Sequence, residues 1–252
     1  MSLELRRDSP VTWLASHPRS GNTLLRIILK RCFGLSSQSV YADEEFSDAA
    51  LRDVVGHQPV GDDPARFLRQ AQDERRQLYI KTHELPPGDN HPAIYVVRDG
   101  RAAVVSYIHF LREILKRDVA AADVICGKVG ASWSRHVRAW TLPPRPGTLV
   151  VRYEDLVIGE AAILKKISAF IGAPQREAFD ISFDSLHELA PDFFRSGSNR
   201  KNIAELNSEE EQLFEQMHGA TLRALGYAGI AADRFNRPAE LVADDSMHCA
   251  KT

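Results

Sequence analysis

Short, mostly apolar runs alternate along this chain with stretches whose apolar positions recur every three or four residues. The runs at 11–15 (VTWLA), 78–81 (LYIK), 93–97 (AIYVV) and 148–151 (TLVV) have the length of strands. They are too continuously apolar for a sheet with one wet face, and suit strands covered on both sides. Helical spacing begins at Thr23, with Leu25, Ile28, Leu29 and Cys32 on one face, and returns over 64–76, 101–116, 160–171 and 209–225. A further helical region, 118–140, is broken or bent at Gly127 and Gly130. Pro and Gly punctuate the chain at 86–88, 143–147 and 172–174, where helices and strands stop. Apolar strands alternating with helices predict an α/β fold: a single domain with a largely parallel central sheet flanked by helices. The domain is expected to fill 1–232, with a polar tail or arm over 233–252.

Composition narrows the function classes. The chain has 252 residues, 44% of them hydrophobic and 26% charged, as in globular proteins able to bury a core. Its net charge of −2 argues against a broad basic surface for nucleic acid. Any anion site must therefore be a local cluster. No apolar leader precedes the first strand, and no run approaches the roughly 18 apolar residues of a membrane span. A cytoplasmic location is the expectation. His57, His109, His136 and Cys126 show no metal-ligand spacing, and no metal is expected.

The richest stretch is 11–26, VTWLASHPRSGNTLLR. It reads as strand, tight loop and helix, a P-loop-like unit. A loop that opens directly onto a helix presents free backbone N–H groups and the positive end of the helix dipole. Gly21 allows close approach to the backbone. Ser20, Asn22 and Thr23 add short donors, and Arg19 adds a fixed charge with a planar fork of donors. The set suits a phosphate or sulfate. The plain alternative is an ordinary turn, with Ser20 or Asn22 as helix cap. The loop is not a Walker sequence: Gly21 stands alone, and no lysine adjoins Thr23.

In parallel sheets, ligands bind at the carboxyl ends of the strands. The polar residues just beyond each strand then belong to one rim: Arg19, Ser20 and Thr23; His83; Arg98 and Ser106; Arg152 and Tyr153. Several cations and a histidine on that rim point to a multiply charged anion with a titratable group beside it.

Four stretches in order resemble the PAPS-dependent sulfotransferases, particularly the cytosolic type and its bacterial relatives. HPRSGNTLLR resembles the family's phosphosulfate loop, and Lys81-Thr82-His83 with Leu85-Pro86 resembles the KTHLP segment. VVRDGRAAVVSYIHF, with Arg98 and Ser106, resembles the 3′-phosphate segment, and VRYEDL resembles the YEDL stretch. Later, Ser182-Phe183 and FFRSGSNRKN are similar to the adenine-contacting and 3′-phosphate-closing elements. The chain differs at Arg19, where the cytosolic branch has lysine, and at Leu24, in place of a tryptophan. It also lacks the GDW of the late element and the C-terminal dimerisation motif, and leaves the oligomeric state open.

The resemblance implies a sulfotransferase that moves a sulfuryl group from PAPS to a hydroxyl or amine, releasing PAP. It implies that Arg19, Ser20, Gly21, Asn22 and Thr23 hold the 5′-phosphosulfate, and that Arg98, Ser106, Arg195 and Gly197 hold the 3′-phosphate. Tyr153 and Phe183 belong to the nucleotide side. His83 is implied as general base, with Lys81 and Arg19 neutralising charge on the transferring group. No metal is required. Each residue also has a structural alternative: Arg98 in an ion pair, Ser106 as a plain helix residue, Tyr153 as a packed aromatic, Glu154-Asp155 as a helix cap.

A kinase would need the missing Walker lysine. A nucleotide binder that has lost its chemistry is the other alternative. The expected acceptor is a small molecule or carbohydrate, bound by segments 40–77 and 109–133; Tyr107, Phe110 and Trp133 suit either its wall or the core.

Overall fold

The computed structural model describes residues 10–41, 49–61, 63–189, 191, 194 and 199–227. Five strands form one sheet: β1 (Val11–Ser16), β2 (Gln38–Ser39), β3 (Leu78–Thr82), β4 (Ala93–Val97) and β5 (Thr148–Arg152), in the order β2-β3-β1-β4-β5. Every pairing is parallel. The four predicted strands are present, and β2 is added; two residues are too few to show a period.

The register is nearly level. Ala15 pairs with Thr82 on one side and with Tyr95 on the other, and Val97 pairs with Arg152. The carboxyl ends of β1, β3, β4 and β5 therefore line one edge. β1 lies between β3 and β4, so the chain leaves it in one direction and returns on the other side. That makes the exit of β1 the switch point, where an open parallel sheet has its crevice.

The described residues fall into two compact units. The first holds the sheet, with residues up to 98 and 140–194. Its core joins Leu14, Ile94, Val96 and Val151 of the sheet to Leu25, Ile28 and Leu29, and to Ile163, Leu164 and Ile167. Leu25, Ile28, Leu29 and Cys32 come from the helix Asn22–Phe33 and are all buried, as their spacing predicts. Gly34 ends that helix at φ 70°, its N–H donating to the carbonyls of Leu29 and Lys30. On the other sheet face Val11, Leu78 and Ile80 pack with Ala71 and Phe67; Ala71 and Phe67 belong to the helix Pro64–Asp73, capped by the Asp63 carboxylate. A short helix, Ala49–Val55, adds Leu51 and Val55 to the buried residues of this unit.

The second unit holds residues 99–139 and 199–227. Its first helix, Gly100–His109, passes directly into a π-helical turn, Phe110–Ile114, where one continuous helix was expected. The 118–140 region is broken as read, into helices Ala121–Ile125 and Trp133–Thr141, with Gly127 and Gly130 at positive φ between them. Trp133 packs on Phe214 and His218 and is 1% exposed, which makes it a core residue. Helix Ser208–Ala224 opens with an Asn207–Glu210 capping box. Among the described residues no helix is long and apolar enough to cross a membrane.

Candidate active site

The loop after β1 is built to expose its backbone. The Ser20 N–H donates to the His17 carbonyl (3.2 Å), which closes a tight turn. Arg19 takes φ 61° and Gly21 φ 104°. A left-handed arginine is costly, on the order of 1–2 kcal/mol, and such strain concentrates at functional sites. Gly21 is required for a second reason: a Cβ there would lie 2.5 Å from Tyr153 Cδ2.

The helix starts at Asn22 without a side-chain cap, and its first turn carries no acidic residue. The Ser20 or Asn22 cap of the plain alternative is absent, because the cap position falls on Gly21, which has no side chain. Asn22 Nδ2 donates back to the Leu14 carbonyl at 2.8 Å and tethers the loop to its strand; what Asn22 offers an anion is its backbone N–H. Ser20 Oγ is buried with no hydrogen-bond partner. An orphaned buried hydroxyl beside an uncapped helix N-terminus is a pair of donors that a bound oxyanion would satisfy. Thr23 is half-buried on the same turn. The loop thus fits a phosphosulfate group.

Arg98 follows β4 and is 5% exposed. Its guanidinium lies 4.3 Å from the centroid of the Tyr153 ring, and Nη1 donates to the Arg19 carbonyl at 2.9 Å. Tyr153 is therefore a packed aromatic that supports the loop twice, against Gly21 and beneath Arg98. It opens the helix Tyr153–Ile158, whose first turn holds Glu154 and Asp155 without a side-chain cap bond.

His83 stands two residues beyond Lys81, just past β3. Its Nδ1 is 2.8 Å from the Ser16 carbonyl. A carbonyl only accepts, so Nδ1 carries the hydrogen and the neutral ring's lone pair is on Nε2. The last residue of β1 thereby sets the tautomer of the candidate base. Lys81 is 1% exposed, its Nζ 5.4 Å from the Tyr41 ring centroid. The turn holding His83 is pinned on several sides: Glu84 N–H to Thr82 Oγ1 (3.0 Å), Trp140 Nε1 to the Glu84 carbonyl (3.0 Å) and His83 N–H to the Tyr41 hydroxyl (2.8 Å). Tyr41 and Trp140 have no motif signal; contacts across 42 and 56 residues put them here.

Arg19, Ser20, Gly21, Asn22, Thr23, Lys81, His83, Arg98 and Tyr153 thus share the first unit, around the exits of β1, β3, β4 and β5. Phe183 begins the helix Phe183–Leu189 of that unit. Ser106 is buried in the helix Gly100–His109 of the second unit. Arg195 and Gly197 lie outside the described residues, as does 233–252. Among the described residues no group of three or more His, Cys, Asp or Glu is placed to hold a metal ion.

Comparison with known proteins places the chain in a family and a fold. Residues 9–216 match the sulfotransferase domain family. A flavonol 3-sulfotransferase of Flaveria bidentis is 28% identical over 233 residues, covering 80% of this chain and 72% of that protein. Among solved structures, the mouse sulfotransferase SULT7A1 complexed with PAP superposes with a TM-score of 0.62 at 19% identity, over 88% of this chain and 91% of that one. Retinol dehydratase in complex with androsterone and inactive cofactor PAP gives a TM-score of 0.56 at 17% identity, over 85% of this chain and 81% of that one. At these identities the structural likenesses establish the fold.

Proposed function

This chain belongs to the sulfotransferase domain family, and from that membership we propose that it transfers a sulfuryl group from PAPS to a hydroxyl or amine of a small-molecule or glycan acceptor, with His83 as general base. The observation that carries the reading is the bond from His83 Nδ1 to the Ser16 carbonyl, at 2.8 Å. It puts a correctly tautomerised imidazole beside a loop with an orphaned hydroxyl and an uncapped helix N-terminus.

Sulfuryl transfer resembles phosphoryl transfer, in that a loose, in-line transition state leaves the protein mainly positioning and charge stabilisation to supply. The Ser20 hydroxyl, the Gly21–Thr23 backbone and Arg19 bind the 5′-phosphosulfate. Arg19 and Lys81 oppose the negative charge that grows on the bridging oxygen as the donor bond breaks. His83 Nε2 takes the acceptor's proton. Arg98 binds the 3′-phosphate while bracing the loop, and the resemblance adds Ser106, Arg195 and Gly197 to that role. Tyr153 and Phe183 serve the nucleotide side. The cytoplasm is the proposed location.

The test has two stages. PAP should raise the melting temperature where ATP with Mg²⁺ does not, and PAPS with an acceptor library should yield PAP and a sulfated product. Stabilisation by ATP with Mg²⁺ alone would exclude the donor assignment. Binding of PAP without turnover on any acceptor would make the chain a nucleotide binder.

A further inference from the structure

We propose that Tyr41 is a positioning residue for His83, holding the imidazole from one side while the Ser16 carbonyl holds it from the other. The inference rests on the reading of His83 as the base. It begins with the register of the edge strand. Ser39 of β2 pairs in parallel with Lys81 of β3. Two residues further along each chain, Tyr41 and His83 stand opposite one another just past the sheet. The Val40 N–H donates to the Lys81 carbonyl (3.2 Å) and the Tyr41 N–H to Ser39 Oγ (3.1 Å), so the backbone leading to Tyr41 is tied down.

Four contacts then converge on the phenol. Its ring stacks on the His83 imidazole, with centroids 5.8 Å apart and an interplanar angle of 25°. Its hydroxyl accepts the His83 backbone N–H at 2.8 Å and donates to Glu84 Oε1 at 3.1 Å. Lys81 Nζ lies 5.4 Å from the ring centroid. A phenol is suited to this combination. A phenylalanine keeps the stack but neither accepts nor donates. A serine could do both hydrogen bonds but has no ring. A phenolate could not donate to the Glu84 carboxylate and would repel it; burial pushes the hydroxyl's pKa up to about 12, so it stays protonated at working pH. Tyr41 thus fixes the ring plane of His83 and tethers the neighbouring carboxylate. Both constraints serve a proton transfer that needs one orientation of Nε2.

The experiment uses the full chain and PAPS, with water as acceptor, reading PAP and sulfate as products. Tyr41→Phe should lower kcat about three- to tenfold, the usual worth of a hydrogen bond, and Tyr41→Leu about tenfold further as the stack is lost. Melting temperature and PAP affinity should stay near those of the parent. In a His83→Asn background Tyr41→Phe should cost nothing more, since Tyr41 acts through the ring. The ring resonances of His83 should report one ordered ring orientation in the parent and averaging between orientations in Tyr41→Leu, with Nδ1 protonated in both, since the Ser16 carbonyl is unchanged. Equal losses with and without His83, or a ring as ordered in Tyr41→Leu as in the parent, would overturn the role of Tyr41. If His83→Asn by itself leaves kcat unchanged, the reading of the base fails instead, and the resonances still decide whether Tyr41 orders the ring.

Discussion

Arg98 Nη1 donates to the main-chain carbonyl of Arg19 across 79 residues, at 2.9 Å. The residue assigned to the 3′-phosphate is therefore also a strut of the loop assigned to the 5′-phosphosulfate. Arg98→Ala should weaken binding of 5′-AMP as well as of PAP, with the larger loss for PAP. A charge-assisted hydrogen bond is worth roughly 1.5–3 kcal/mol, so PAP affinity should fall at least tenfold. Calorimetry with the two nucleotides checks this; a loss confined to PAP would mean that the loop holds its shape without the strut.

Gly21 has no room for a side chain. Its φ of 104° disfavours L-residues, and the Tyr153 ring occupies the position of a Cβ. Gly21→Val should displace Tyr153 or the loop and reduce PAP affinity tenfold or more, while the core away from the loop keeps the fold cooperative. Circular dichroism, with PAP titration, reads both. A folded variant with parental affinity would return the loop to an ordinary turn.

His83→Asn keeps a similar size but cannot take a proton at neutral pH. It should lose on the order of 10²–10⁴ in kcat, the usual contribution of general acid–base catalysis. PAP affinity should change little, because His83 is assigned to the acceptor's proton and not to the nucleotide. In the parent the rate should fall on the acid side as the imidazole protonates, and the variant should lose that limb. A variant within a few-fold of the parent that keeps the limb would move the base elsewhere, with Glu84 next to examine.

Burial raises the pKa of three tyrosines: Tyr41 to about 12, with Tyr95 and Tyr107 shifted in the same direction. A phenol whose folded pKa lies above its unfolded value favours folding below the unfolded value, near 10. That contribution is lost as the pH climbs through the folded value. Stability should therefore decline above about pH 10. Absorbance titration of phenolate should show a late phase that disappears in urea, and Tyr41→Phe should reduce its amplitude. Ionisation of all the phenols in one early phase would contradict the burial.

Three of the strands were legible because β1, β3 and β4 are buried almost throughout, so the run at 93–97 is apolar at every position and needs no partner to be recognised; β5, at the sheet edge and only partly buried, was legible from its apolar run alone. The helix after the loop was legible because its apolar spacing matches the face it buries. The loop itself was legible from local chemistry: a strand, a turn with one glycine and three short polar side chains, and a helix. What only the tertiary structure decided is where the long-range partners of these residues lie. β2 has two residues and no readable pattern; it exists because β3 offers an edge to pair with. That pairing carries Tyr41 to His83, from a segment that reads as polar surface. The left-handed Arg19 has no local signature either, since it is held by an arginine 79 residues away. Asn22 reads as a donor to an anion, yet its amide is bound to the carbonyl of Leu14, a buried acceptor eight residues back that takes a partner the sequence does not reveal. Local periodicity and turn chemistry reside in neighbouring residues and survive in the sequence. Registers, stacks and hydrogen bonds between distant segments come into being only when the sheet brings its strands together.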